Sequence, residues 1–513
     1  VNENSSDRMI YNSLLKAISR KRTPIQQPLP MLLRLLLLLS GSVPLVVQSG
    51  AIAQAPLCPA QLPSAIASIL NRPALARSHW GILIQTQATA AHQQTLFARN
   101  PSTLMIPASN NKILTTAAVL SKLGADYRIR TAVYGNSTSP TLETLRIIGR
   151  GDPSLTTNQL AALAQQLAQK GIRQVKQLIG DDTYFRGAAS NPNWDAEDTL
   201  AGYGAPVNSL MLNQNAIGLT LIPQRVGQAL RVQWDDPSDA NTWQLDNQSV
   251  TGSAGDPESV DAVRDPNHWI VHVSGQLRAG SEPESVAAAI PNPGNYLVQR
   301  FRSVLAAAGI SVSQSTLLKQ TPAPMGEVEL AAIASPPLAQ LLYDTNQDSN
   351  NMYAESLLKT IGQVQTPTNL DATASGIMAV KAILSSLGVN PNRYVQVDGS
   401  GLSDRNRASA EAFVQTLQAM AQSPNAQVFR ASLPVAGVSG TLKTRFRGTP
   451  AQNTVAAKTG TITGVVSLSG YATPRNYPPL VFSILVNDAS GSPSSMRDGV
   501  DAIVILLTQL RSC

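Results

Sequence analysis

Cysteine, histidine, aromatic residues and charge are all scarce in this chain of 513 residues. Two cysteines and four histidines do not gather beside carboxylates, so no metal site is expected and no cofactor is implied. His268 and His272 lie four apart, but Trp269, Val271 and Val273 alternate as a strand would. None of the histidines sits in a nucleophile-elbow setting, which leaves no Ser-His-Asp hydrolase. Charged residues make up 14% of the chain, against roughly 25% in ordinary globular domains. The surface must then rest largely on Gln, Asn, Ser and Thr. No basic stripe is present, which argues against nucleic acid as a partner.

Much of the net charge of +7 belongs to the first 55 residues. Six basic residues there face only Glu3 and Asp7, which leaves the remainder at +3. Lys16 to Arg22 forms a basic run, Met31 to Val47 is apolar, and Ala53-Gln54-Ala55 offers small residues around a cleavage point. This order reads as a secretory signal peptide over 1–55, with the mature chain in the periplasm or cell envelope. No later stretch is apolar enough to span a bilayer, so the mature chain is expected to be soluble or peripheral to the membrane. Cys58 and Cys513 then lie at the two ends of the mature chain. In an exported protein they are expected to form a disulfide clasping the N-terminal helix to the C-terminal one.

The length suggests about two to four domains. Helix and strand patterns over 56–125 return after 335: a strand over Gly81–Thr86, a helix over Ser109–Leu123, then three strands and a final helix beyond Val455. Between about 126 and 334 the texture is short β-like runs with turn residues, crossed by a helix over Gln159–Lys170. The expected fold is an α/β (α+β) catalytic domain, 56–125 plus 335–513, split by a long, mainly β insertion. The insertion forms one or two extra domains, with a nested part at about 185–283. Arg150-Gly151-Asp152, before Pro153, reads as a turn rather than an adhesion signal.

Chemistry-bearing residues fall in three places. Ser109 and Lys112 are three apart at a helix start and so share a face. A serine hydroxyl needs a base, and a lysine serves only when neutral, through burial or a nearby cation. Ser349-Asn350-Asn351 precedes another helix. Lys458-Thr459-Gly460-Thr461 closes an expected strand, where the lysine can bind a carboxylate and the glycine lets a substrate backbone approach. A lone Ser-x-x-Lys is weak evidence. All three together, in this order, form the signature of penicillin-binding proteins and class A β-lactamases.

The chain resembles the low-molecular-mass class C penicillin-binding proteins, the D-alanyl-D-alanine carboxypeptidases/endopeptidases of peptidase family S13. The likeness rests on these motifs together with Gly151-Asp152-Pro153-Ser154-Leu155, Asp398-Gly399-Ser400-Gly401-Leu402-Ser403, Ser439-Gly440-Thr441-Leu442 and Ser469-Gly470-Tyr471. It implies a penicillin-binding/transpeptidase-like fold and action on peptidoglycan stem peptides, with β-lactams as covalent inhibitors. By this resemblance Ser109 attacks the carbonyl between two D-alanines, Lys112 takes its proton, and Ser349 relays a proton to the leaving group. Asn351 holds the acyl amide. Lys458 and Thr459 bind the terminal carboxylate, and Gly460 and Thr461 continue the binding strand. Asn350 stands where the signature has Asp. Asp181 is the candidate acidic residue of the insertion to meet a substrate amine, a reading no stronger than that of a solvated turn carboxylate. Two other readings stand beside this one: a β-lactamase or esterase using the same site, and a catalytically silent wall-binding or scaffolding protein.

Overall fold

The computed structural model describes residues 57–136, 139–319, 327–365, 371–488 and 492–513, and the signal peptide read at 1–55 lies outside them. Helix α1 (Leu62–Leu70) opens the described chain, followed by strands β1 (His79–Thr86) and β2 (Thr95–Arg99) and helix α2 (Asn111–Leu123). The insertion begins with β3 (Arg130–Gly135), β4 (Thr141–Ile148), α3 (Thr157–Gln169) and β5 (Gln174–Asp181). Helix α3 starts at a capping box, in which Thr156 N–H donates to Gln159 Oε1 at 2.8 Å and Thr156 Oγ1 accepts from Gln159 N–H.

Seven short strands come next: β6 (Ala216–Ile222), β7 (Arg231–Trp234), β8 (Gln244–Asn247), β9 (Val250–Gly252), β10 (Ser259–Arg264), β11 (Ile270–Arg278) and β12 (Glu284–Ala289). They form two small sheets, β12-β6-β7 and one in which β11 pairs with β8, β9 and β10. A core of Leu219, Leu221, Val271, Val273 and Val286 fills the space between them. The nested part therefore runs past the expected boundary at 283. Pro283 reads as a boundary in the sequence, but Val286 and Ala288 pair with Leu219 and Ile217 and carry β12 into the nested core.

The insertion closes with α4 (Pro293–Ala307), β13 (Ser311–Leu318) and β14 (Val328–Ala334). These complete a five-stranded sheet in the order β13-β5-β4-β3-β14, with α3 and α4 packed on it through Leu160, Leu163, Phe301 and Leu305. The flanks of the insertion are thus α/β, and only the nested part is mainly β. Because β4 and β5 run parallel, a crossover must join them, and α3 is that crossover.

The chain then returns through α5 (Leu338–Gln347), α6 (Asn351–Gln365), α7 (Ala372–Ser386), the short pair β15 (Tyr394–Val395) and β16 (Arg407–Ala408), α8 (Ala410–Ala421) and α9 (Ala426–Ser432). Strands β17 (Val455–Ile462), β18 (Val465–Ala472) and β19 (Leu480–Asn487) and helix α10 (Pro493–Thr508) finish it. The main sheet has the order β17-β18-β19-β1-β2 and is antiparallel throughout. Strand alternation sorts its side chains onto two faces. Ile82, Ile84, Phe482 and Ile484 pack under α1 and α10. Leu83, Val481 and Leu485 pack against the helices on the other face, among them α2 and α8.

Both ends of the described chain belong to this body. Leu57 N–H donates to Gln509 O at 3.0 Å, and Cys58 is bonded to Cys513 across 455 residues of sequence. The expected disulfide is present. A cross-link of this span restricts the unfolded chain, an effect worth about 2–4 kcal/mol in typical cases. Cys58→Ser with Cys513→Ser is expected to lower the midpoint of thermal unfolding by several degrees. Reductant should lower the parent to the same value and leave the double variant unmoved.

Candidate active site

The three sequence motifs converge where the N-terminus of α2, the α5–α6 loop and β17 meet. Ser109 lies in a short 3-10 turn, Ala108–Asn110, that leads into α2. Ala108 has φ 48° and Ser349 has φ 54°, a left-handed conformation uncommon for residues with a side chain. Such positions cost about 1–3 kcal/mol and persist where surroundings over-determine them. Here they aim two serine hydroxyls into one cleft.

Strand β17 passes the nucleophile turn at close range. A Cβ on Gly460 would stand 2.9 Å from Ser109 N and 2.8 Å from Pro107 O. Only glycine permits that approach. The sequence placed Lys458-Thr459-Gly460-Thr461 at a strand end, but β17 runs on to Ile462 because Thr461 and Ile462 pair with Val466 and Val465. Strand β17 is the edge of the main sheet. Its first half is covered, since Ala457 N–H donates to Pro434 O at 2.9 Å and Val435 bridges Ala456.

Lys112 Nζ is fully buried, 3.1 Å from Ser109 Oγ, 2.7 Å from Asn351 Oδ1 and 2.7 Å from Ser400 O. The Asn351 amide is fixed the right way round, because its Nδ2 donates to Tyr203 O at 3.0 Å. Burial lowers the Lys112 pKa to about 7, against the opposing pull of Asp398 and Glu355. A neutral amine has two N–H groups and one lone pair. Two of its three neighbours, an amide oxygen and a backbone carbonyl, can only accept. They take the two N–H groups, and the lone pair is left facing the Ser109 hydroxyl.

Lys458 is also fully buried and donates to Ser349 Oγ at 2.8 Å and to Thr459 O at 2.9 Å. Burial, reinforced by repulsion from Lys112, pushes its pKa well down, while Asp348 pulls the other way. Thr459 Oγ1 donates to Thr441 Oγ1 at 2.7 Å, which joins the Ser439-Gly440-Thr441 segment to the site. The Asn350 side chain turns away from the nucleophile. Its Nδ2 donates to Gln214 Oε1 at 2.7 Å and its Oδ1 accepts from Tyr353 N–H. A cleft of about 590 Å³ opens beside Ser349 and Asn351, walled by the insertion through Tyr203, Gln214 and Asp235.

The structure does not bring Asp181 to this cluster. It ends β5, is 4% exposed, and spends Oδ2 on Arg146 Nη1 (2.7 Å) and Oδ1 on Thr183 Oγ1 (2.6 Å). Its neighbourhood is a strand end rather than the turn that the sequence suggested. The acidic residues of the insertion that line the cleft are Asp235, Asp236 and Asp239. Sequence reasoning also passed over Tyr203, Glu355 and the role of the 398–403 loop. The Asp398-to-Ser403 motif was itself the available signal for that loop. Among the described residues, no group of histidine, cysteine or carboxylate side chains could hold a metal ion.

A serine and a buried lysine on one helix turn, a Ser-x-Asn loop and a lysine-bearing edge strand define a penicillin-binding type of serine enzyme. The description "D-Ala-D-Ala carboxypeptidase 3 (S13) family" matches residues 62–510. The D-alanyl-D-alanine carboxypeptidase of Actinomadura sp. (strain R39) is 34% identical over 452 residues, 85% of this chain and 82% of that one. The D-alanyl-D-alanine carboxypeptidase DacB of Haemophilus influenzae is 27% identical over 402 residues, 76% of this chain and 82% of its own. The crystal structure of penicillin binding protein 4 (dacB) from H. influenzae superposes with a TM-score of 0.73 at 24% identity, covering 87% of this chain and 99% of that one. The chain belongs to the D-Ala-D-Ala carboxypeptidase 3 (S13) family and is an enzyme of that class.

Proposed function

We propose that the protein is an exported serine D-alanyl-D-alanine carboxypeptidase/endopeptidase that cleaves peptidoglycan stem peptides through a Ser109 acyl-enzyme. The observation that carries this reading is the buried Lys112 amine, 3.1 Å from Ser109 Oγ and held by Asn351 Oδ1 and Ser400 O, which in its neutral form leaves the lone pair for Ser109. Lys112 takes the Ser109 proton as Oγ attacks the carbonyl between the two D-alanines. The backbone N–H groups of Ser109 and Thr461 receive the developing oxyanion, where one such donor is worth about 3–4 kcal/mol. The C–N bond breaks as Ser349 passes a proton to the leaving nitrogen, and D-alanine, or the second peptide of a cross-link, departs. Water then hydrolyses the ester and restores Ser109.

The open half of β17 suits an extended acyl chain added as a further strand, with Asn351 holding its amide. Lys458 and Thr459 receive the terminal carboxylate, whose charge favours the protonated amine that burial disfavours. Asp235, which lines the cleft, rather than Asp181, is the carboxylate placed to meet a substrate amine. β-Lactams mimic the D-alanyl-D-alanine end and esterify Ser109. Export rests on the leader at 1–55. No helix among the described residues is long and apolar enough to cross a membrane.

The test combines two incubations. With benzylpenicillin, the mature protein is expected to gain the mass of one penicilloyl group and release it slowly; rapid turnover would make it a β-lactamase, and no mass gain would leave a scaffold. With a monomeric pentapeptide and a cross-linked muropeptide, free D-alanine marks carboxypeptidase action and loss of the dimer marks endopeptidase action.

A further inference from the structure

Helix α6 carries an ionisable residue that no motif absorbs. Glu355 lies one turn beyond Asn351 and is 2% exposed. Its Oε1 accepts from Gly399 N–H at 2.9 Å and from Ser400 N–H at 2.7 Å. The peptide so gripped ends in the Ser400 carbonyl, which stands 2.7 Å from Lys112 Nζ. Other elements wedge the same loop from every side. Thr115 Oγ1 donates to Gly399 O at 2.8 Å, and Asn111 Nδ2 donates to Asp398 O at 2.9 Å. Gly401 has φ 82°, and a Cβ there would stand 2.0 Å from Ala108 O, so the loop presses on the nucleophile turn itself. The insertion also holds it, through Trp194 Nε1 donating to Asp398 Oδ2 at 3.1 Å.

We propose that Glu355 is a positioning residue for Lys112. Its carboxylate fixes the Gly399–Ser400 turn, and the turn's Ser400 carbonyl takes one of the two N–H groups that would otherwise compete for the Ser109 side. This rests on the reading of Ser109 as nucleophile and Lys112 as its base. With the turn displaced, the amine is free to rotate and its lone pair is no longer committed to Ser109. Misplacement of a reacting group by about 1 Å costs on the order of 100-fold in rate.

The charges around this pair are few. Glu355 faces Lys359 on its own helix, Asp398 from the loop and Lys112 from α2. Lys112 faces Asp398 and Glu355, and Lys458 across the cleft. Glu355 and Asp398 both favour the charged amine. Burial raises the Glu355 pKa to about 7, so its charge is only partly present where Lys112 titrates, and removing it while keeping the oxygen eases deprotonation of Lys112 slightly.

Acylation by benzylpenicillin, followed against pH and normalised to folded protein by circular dichroism and the thermal midpoint, tests this in the full mature chain. Glu355→Gln keeps an acceptor for both N–H groups. It is expected to acylate within about tenfold of the parent, with the acid limb of its pH profile at or slightly below the parent's. Glu355→Ala is expected to lose about 100-fold in the acylation step, with the binding constant for the antibiotic little changed. A folded Glu355→Gln that loses about 100-fold in acylation overturns the proposal, even if Glu355→Ala fails to fold. So does a folded Glu355→Ala that acylates at the parental rate. A parent that penicillin does not acylate is a different failure, of the nucleophile reading itself, and is seen before any variant is compared.

Discussion

Ser109→Ala is expected to take up no penicilloyl mass at all and to release D-alanine about six orders of magnitude more slowly than the parent, the scale seen when a serine hydrolase loses its nucleophile. The fold should survive. Ser109 is 1% exposed, and the change removes one oxygen without creating a void large enough to collapse. Near-ultraviolet circular dichroism and the thermal midpoint should match the parent. The choice of Ser109 over its neighbours is what the variant tests. Ser349 Oγ lies 2.8 Å from Lys458, whose other contact is the Thr459 carbonyl, and Lys458 is proposed to hold the substrate carboxylate. Residual labelling in Ser109→Ala would mean that Ser349 is the nucleophile and that Lys458, not Lys112, is its base.

Local pattern carried the reading of the sequence furthest where contacts are short in sequence. Ser109 and Lys112 meet because they are three apart on a helical turn, and their motif says so. The strands of the main sheet were legible as short apolar runs, since both faces are buried, one under α1 and α10 and the other against α2 and α8. Apart from the disulfide and the three motifs joined by family likeness, residue pairs distant in sequence were not legible. Lys112 and Ser400 are separated by 288 residues, and nothing in either segment announces the other. The left-handed backbone at Ala108 and Ser349 was equally hidden, because neither residue is a glycine whose presence would betray it. Gly460 misled in the opposite sense. It reads as room for a substrate backbone, whereas the structure shows it inside β17, where its missing side chain makes room for the nucleophile turn. Asp181 was chosen by family likeness alone, against the reading of a solvated turn carboxylate; burial and the reach of Arg146 decide its position, and neither can be read from one dimension.

Lys112→Arg is expected to keep the cation and lose the reaction. Arginine cannot be deprotonated in proteins, so it offers Ser109 no lone pair at any pH. Loss of a positioned general base costs about 10²- to 10⁴-fold. A lysine that acted only as a fixed positive charge would be replaced by arginine with little loss, so parental acylation in Lys112→Arg would remove the base from the mechanism. The pH profile of the parent makes the same distinction without a substitution. Lys112 is held to about 7 by burial, so acylation should rise through that pH as the amine becomes neutral and fade below it. Stability shifts in the same direction. Between the folded pKa near 7 and the unfolded value of 10.5, the unfolded chain binds a proton that the folded chain does not. Folding is therefore favoured as pH climbs through that window, and the full cost of burying the amine is felt below it. Lys112→Met removes this term. Its thermal midpoint should gain less than the parent's between pH 7 and pH 9. A parent whose acylation and midpoint are both flat across that range would place the proton on Lys112 permanently, and with it the base elsewhere.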